Sequence, residues 1–61
     1  MYAKIVFFAY MEGSALEYCA EAHECPDDIN YEELSNRSDD FANRIEDVYG
    51  GHAISYGYKF I

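Results

Sequence analysis

Along Tyr2–Met11 (YAKIVFFAYM) apolar side chains fill both alternating sets of positions. Ala3, Ile5, Phe7, Ala9 and Met11 make one wholly apolar face. Tyr2, Lys4, Val6, Phe8 and Tyr10 make a second that is largely so. Aromatic and β-branched residues without a breaker predict a strand over 2–11. A strand apolar on both faces belongs in the middle of a sheet or under cover on both sides.

Glu12-Gly13-Ser14 signals a turn, and residues 15–24 then admit two readings. As a strand the segment alternates, with Leu16, Tyr18, Ala20 and Ala22 on one face and Glu17, Cys19, Glu21 and His23 on the other. It would be the return arm of a hairpin with the first strand. As a helix it is capped by Ser14, with Glu17 at the third helical position. The strand reading is preferred, because a sheet of only two strands is marginal. The helical reading gives βααβ instead.

Cys25-Pro26-Asp27-Asp28 is expected to close that element, since Pro26 biases Cys25 to extended geometry. Asn30 then reads as a helix N-cap, with Glu33 three residues on and Ile29 and Leu34 at staple spacing. Tyr31, Leu34, Phe41, Ala42, Ile45, Val48 and Tyr49 share one side at 100° per residue, predicting a helix within 31–49. Ser35-Asn36-Arg37-Ser38 is poor helix material and allows a break near 35–38. Asp40 and Arg44 have i,i+4 spacing for an ion pair. Gly50-Gly51 stops the helix, with Gly50 expected in the αL conformation. The last strand spans 52–61. Ile54, Tyr56, Tyr58 and Phe60 form its large face, Ala53, Ser55, Gly57 and Lys59 its small one, and Gly57 marks a bulge or a close backbone approach. The fold class is α+β, a single domain over 1–61 in the order ββαβ, with the first and last strands as neighbours and one helix on one sheet face.

Charge adds a second layer. All twelve acids lie between Glu12 and Asp47, and the formal net charge is −8 over 61 residues. The two ends carry no acid and hold Lys4 and Lys59. Half of the residues are apolar and eleven are aromatic, too many for a disordered acidic tail. The negative charge disfavours direct contact with nucleic acid or an anionic membrane and is compatible with a basic protein partner. The N-terminal apolar run is short, carries Lys4 and lacks a cleavage pattern, so it reads as a strand and not as a leader. Free thiols and a cytoplasmic location are the expectation.

One helix of about 19 residues spans roughly 28 Å and covers one face of a three-stranded sheet. The first strand offers two apolar faces, so a Tyr-rich face is left for contact with another protein, a second copy included. Tyr2, Phe8, Tyr10, Tyr56, Tyr58 and Phe60 are the candidate apolar contacts. Asp39, Asp40, Glu46 and Asp47 are the candidate acidic ones. The expected function is that of a small acidic interaction module, a homodimer that binds or inhibits a protein partner. Two alternatives stand beside it: an inhibitor whose carboxylate row mimics nucleic acid for a basic DNA- or RNA-binding protein, and a purely structural homo-oligomeric subunit. Small acidic virus-encoded inhibitors of host enzymes are similar in size and charge alone.

The residues give little to chemistry. Cys19, His23, Cys25 and His52 lack the paired knuckle spacing of a structural zinc site. Acids surround both cysteines, and a reactive thiolate needs the opposite. The paired carboxylates Asp27-Asp28, Glu32-Glu33, Asp39-Asp40 and Glu46-Asp47 are adjacent in sequence, so on a helix they diverge by about 100° and form no dyad. No enzyme activity, cofactor or metal is expected.

Overall fold

The computed structural model describes residues 1–61, and it contains three strands and one helix in the order ββαβ. Strand β1 spans Tyr2–Glu12, β2 Tyr18–Pro26, helix α1 Tyr31–Tyr49 and β3 His52–Phe60. The sheet order is β2-β1-β3 and both pairings are antiparallel, so the doubly apolar strand is the central one. The α+β class, the ββαβ order and the pairing of first and last strands all agree with the sequence pattern.

Helix α1 packs on β1 and β3. Under it Ile5, Phe7, Ala9 and Met11 of β1 and Ala53 of β3 meet Leu34, Phe41, Ala42 and Ile45, with Cys25 completing the buried core. Asn30 caps the helix: its Oδ1 accepts from the Glu33 amide at 2.8 Å. Ile29 and Leu16 lie half-buried against the core beside the helix start and the hairpin loop.

Several local expectations differ from the structure. The helix does not break at 35–38, because Leu34 and Ser38 both face the sheet and packing outweighs weak propensity. The i,i+4 ion pair that forms there is Arg37–Glu33 at 3.1 Å. The second strand begins at Tyr18 and not at residue 15. Residues 13–17 form the hairpin loop, closed by the Met11 amide donating to the Glu17 carbonyl at 2.8 Å. Ser14 organises that loop and caps no helix: its Oγ accepts from the Leu16 amide and donates to the Tyr49 carbonyl. Pro26 sits inside the last ladder position, opposite Tyr2 on an edge strand where a missing N–H is tolerated. Gly50 has φ 75° and ψ 179°, a region open to glycine and not the αL well.

The bulge lies at Ile54 and not at Gly57. Met11 pairs with Ala53 and Tyr10 with Ser55, so Ile54 has no partner. Gly57 is the close approach: the Phe8 ring lies across it, and a Cβ there would sit 3.3 Å from Phe8 Cζ. No helix is long and apolar enough to cross a membrane.

Two turns meet where the helix ends. Gly51 has φ 80°, and a Cβ on it would lie 2.7 Å from the Glu12 carbonyl oxygen and 2.8 Å from Ser14 Cβ. Gly50 has nothing within 4 Å of such an atom. Gly51→Ala is expected to destabilise by about 2–3 kcal/mol and Gly50→Ala by less, the difference being the collision. Ser38 Oγ is buried without a hydrogen-bond partner, so Ser38→Ala is expected to stabilise by about 1 kcal/mol. Urea unfolding midpoints of the three variants read both effects; a Gly51→Ala midpoint at or above that of Gly50→Ala contradicts the turn geometry.

Candidate interaction surface

Register decides which side chains share a face. Val6, Phe8 and Tyr10 of β1 stand opposite Ala22, Ala20 and Tyr18 of β2, and opposite Lys59, Gly57 and Ser55 of β3. Tyr2, Lys4 and Glu24 extend this set on the face away from α1. The core positions Ile5, Phe7, Ala9 and Met11 occupy the other face. The result is an open, helix-free sheet face with a continuous apolar centre.

Its aromatic rings touch. Tyr10 and Tyr18 have ring centroids 4.7 Å apart, and Phe8 meets Tyr10 edge-on at 6.0 Å. Tyr10 and Tyr18 remain 48% and 41% exposed and Tyr2 69%, whereas Val6 and Phe8 are half-buried among their neighbours. Each tyrosine combines an apolar ring with a polar hydroxyl tip, the combination favoured at protein interfaces.

Strand β2 is built against the usual logic of a sheet covered on one side. Its small apolar residues, Tyr18, Ala20 and Ala22, face solvent on the open side, while Cys19, Glu21 and His23 point to the helix side. The reason is where the helix lies. With α1 over β1 and β3, Cys25 at the end of β2 is buried under cover and Cys19 packs at the core's margin, while the polar Glu21 and His23 between them occupy a more open strip.

That strip forms a groove of about 250 Å³ lined by Phe7, His23, Arg37, Asp40, Phe41 and Arg44. Both arginines of the chain stand there. Arg44 does not pair with Asp40. Its Nη2 donates to Glu21 Oε1 across the groove at 2.8 Å, and its guanidinium lies over the Phe41 ring, 5.3 Å from the centroid. Arg37 donates to the buried Cys25 Sγ at 3.5 Å. Glu21 also holds His23 Nε2 at 3.1 Å.

The candidate contact residues divide between two surfaces. Tyr2, Phe8 and Tyr10 lie on the open face. Tyr56, Tyr58 and Phe60 stand opposite Ala9, Phe7 and Ile5 and so belong to the helix side. The bulge at Ile54 brings Ala53 to that side too, so the alternation that reads evenly along 52–61 is reset after Ala53. Tyr58 packs on the core, with Phe60 perpendicular to it at 6.3 Å. The expected patch of six rings is therefore not one surface. Val6, Tyr18, Ala20 and Ala22 take the second half of it, and the alternations along 2–11 and 15–24 are the signals that contain them.

The four acidic candidates also differ in their surroundings. Glu46 accepts from the Ala53 amide at 2.8 Å and pairs with His52 Nδ1 at 3.0 Å, tying the helix to the start of β3. Asp39 faces the Tyr56 hydroxyl, and its carboxylate raises that phenol above its ordinary pKa. Asp40 lines the groove, and Asp47 is exposed. Burial, followed by the charge of Glu21, raises the Cys19 thiol above its ordinary value.

No protein family, curated protein or solved structure matches this chain. The reading of its function rests on the geometry above.

The Arg44 hydrogen bond, followed by that of His23, holds the Glu21 carboxyl below its ordinary pKa against the opposing effect of burial. A lowered folded-state pKa gives stability that is full above the unfolded value near 4.3 and is lost as pH falls through the folded value. Carboxyl-carbon NMR titration should place Glu21 below the other exposed glutamates, and Arg44→Gln should move it upward. An unchanged Glu21 midpoint in that variant contradicts the pairing across the groove.

Proposed function

We propose that this chain is a small acidic protein-interaction module that works by binding, with the open sheet face as its contact surface and a second copy of itself as the occupant. The observation that carries this reading is the orientation of β2. Its apolar residues Tyr18, Ala20 and Ala22 join Val6, Phe8 and Tyr10 on the face that α1 does not cover. A sheet face of this composition gains by losing water, at roughly 25 cal/mol per Å² of apolar area.

Charge favours a second copy in a face-to-face arrangement. The chain carries −8, yet the open face holds both lysines, Lys4 and Lys59, against two acids, Glu24 and, at the end of β1, Glu12. Two such faces meet without concentrating negative charge. Stacked sheets lie about 10 Å apart, and a helix packs about 10 Å beyond each. The two acidic helices then stand about 30 Å apart, well beyond the ~8 Å screening length at physiological salt. Three strands, of eleven, nine and nine residues, offer a face of roughly 14 by 30 Å. That is at the small end of specific interfaces, so the dimer is expected to be reversible and concentration-dependent.

Binding or inhibition of a further protein partner, in a cytoplasmic setting, is the wider role proposed for the module. The nucleic-acid-mimic reading has less to rest on. Glu46 and Asp39 are engaged within the fold, which leaves a shorter free carboxylate row than the sequence offers.

Sedimentation equilibrium from micromolar to millimolar concentration tests the proposal. The 7.0 kDa chain is expected to approach twice its mass. Ala20→Glu puts an unpaired charge at the centre of the open face and should weaken the dimer by about tenfold or more, with an unchanged far-UV spectrum. Asp47→Asn, on the helix, should leave it intact. A chain that stays monomeric throughout the range overturns self-association and assigns the face to a foreign protein.

A further inference from the structure

The two edges of the sheet are not equivalent. An antiparallel strand directs its backbone N–H and C=O groups alternately to its two sides. Strands β2 and β3 each give one side to β1, which leaves the other unpaired. On β3 the ladder is broken at Ile54, and a bulge of this kind turns an edge away from further pairing. On β2 the register runs without a shift from Tyr18 to Pro26. Helix α1 lies over the other two strands and leaves this edge uncovered.

Charge separates the edges further. Residues 52–61 contain Lys59 and no acid, whereas residues 17–28 contain Glu17, Glu21, Glu24, Asp27 and Asp28 and no lysine or arginine. Glu21 is already held by Arg44 and His23. Glu17, Glu24, Asp27 and Asp28 make no ion pair within the chain. Like charges close together on neighbouring strands are destabilising, so the carboxylates along β2 disfavour the pairing of two β2 edges. The same carboxylates attract a strand of opposite charge.

We infer that the β2 edge accepts an extended basic segment of another protein as a fourth strand of the sheet. Main-chain hydrogen bonds to the unpaired side of residues 18–26 supply the affinity. Lysine or arginine on the open side of the added strand meets Glu24, and basic residues at its ends meet Glu17 and the Asp27-Asp28 pair. On the other side of the added strand an apolar residue faces the groove floored by Phe7 and Phe41. The occupant is thus amphipathic, basic on one face and apolar on the other. This inference does not depend on self-association, because face-to-face pairing of two copies leaves both β2 edges free.

The test uses the full isotope-labelled chain and three eight-residue probes. The first alternates lysine and valine. The second has the same sequence with its two central residues N-methylated, which removes backbone donors toward both edges and keeps the charge. The third alternates glutamate and valine. The first probe is expected to shift the amides of 18–25 and to protect those that point away from β1, the second to bind about tenfold more weakly or worse, and the third not to bind. Glu24→Gln should weaken the first probe severalfold, and so should raised salt. Equal binding of the N-methylated probe means attraction by charge alone and overturns the inference. So do shifts confined to the open face or to α1. If the Ala20→Glu variant loses self-association and still binds the first probe, edge and face are separate surfaces. Loss of both in that variant makes them one and overturns the independence of the edge.

Discussion

The structure depends on a mismatch between one strand and one helix. Strand β1 is apolar on both faces and central in the sheet, so both faces need cover. The chain has a single helix, and it closes over one of them. Ile5, Phe7, Ala9 and Met11 become core, whereas Val6, Phe8 and Tyr10 are shielded only by one another, by Gly57 and by the small residues of β2. A chain of 61 residues has few ways to bury more. The open face follows from that shortage.

Where the helix rests has a second consequence. Its position over β1 and β3 leaves the middle of the helix side of β2, around Glu21 and His23, only partly covered. Polar side chains occupy that strip, and Arg44 bridges it by reaching from α1 to Glu21. An exposed ion pair of this kind adds little to stability. It does link helix and edge strand across the groove whose lining includes Phe7 and Phe41. The groove, the acidic edge and the inverted polarity of β2 thus share one cause.

Much of this was legible in the sequence, because the strongest signals are local or periodic. The alternation of 2–11, the Asn30 cap and the Gly50-Gly51 stop locate three of the four elements, and the two-faced first strand predicts an uncovered surface. The composition of that surface was less legible. The bulge at Ile54 resets the phase of the last strand, so Tyr56, Tyr58 and Phe60 go to the helix side although the alternation along 52–61 is regular. A bulge depends on the partner strand, and the only local hint of irregularity, Gly57, serves as a seat for Phe8 instead. The partner of Arg44 was equally hidden: Asp40 is near in sequence, whereas Glu21 is near only once the sheet has formed. The continuity of α1 through Ser35 and Ser38 shows tertiary packing prevailing over propensity.

The segregation of charge along the chain acquires a spatial meaning in this fold. The acid-free termini become the central strand and one edge, with both lysines on the open face. The acidic middle becomes the opposite edge and the helix. A copy approaching face to face meets a near-neutral apolar surface, and a copy approaching β2 edge to edge meets carboxylates. The two edges are guarded differently, β3 by a broken ladder and β2 by charge. A bulge disrupts pairing of any incoming strand where it lies, but carboxylates obstruct only acidic ones. The same distribution that keeps this chain from extending its sheet through its own copies therefore leaves β2 selective for a basic strand.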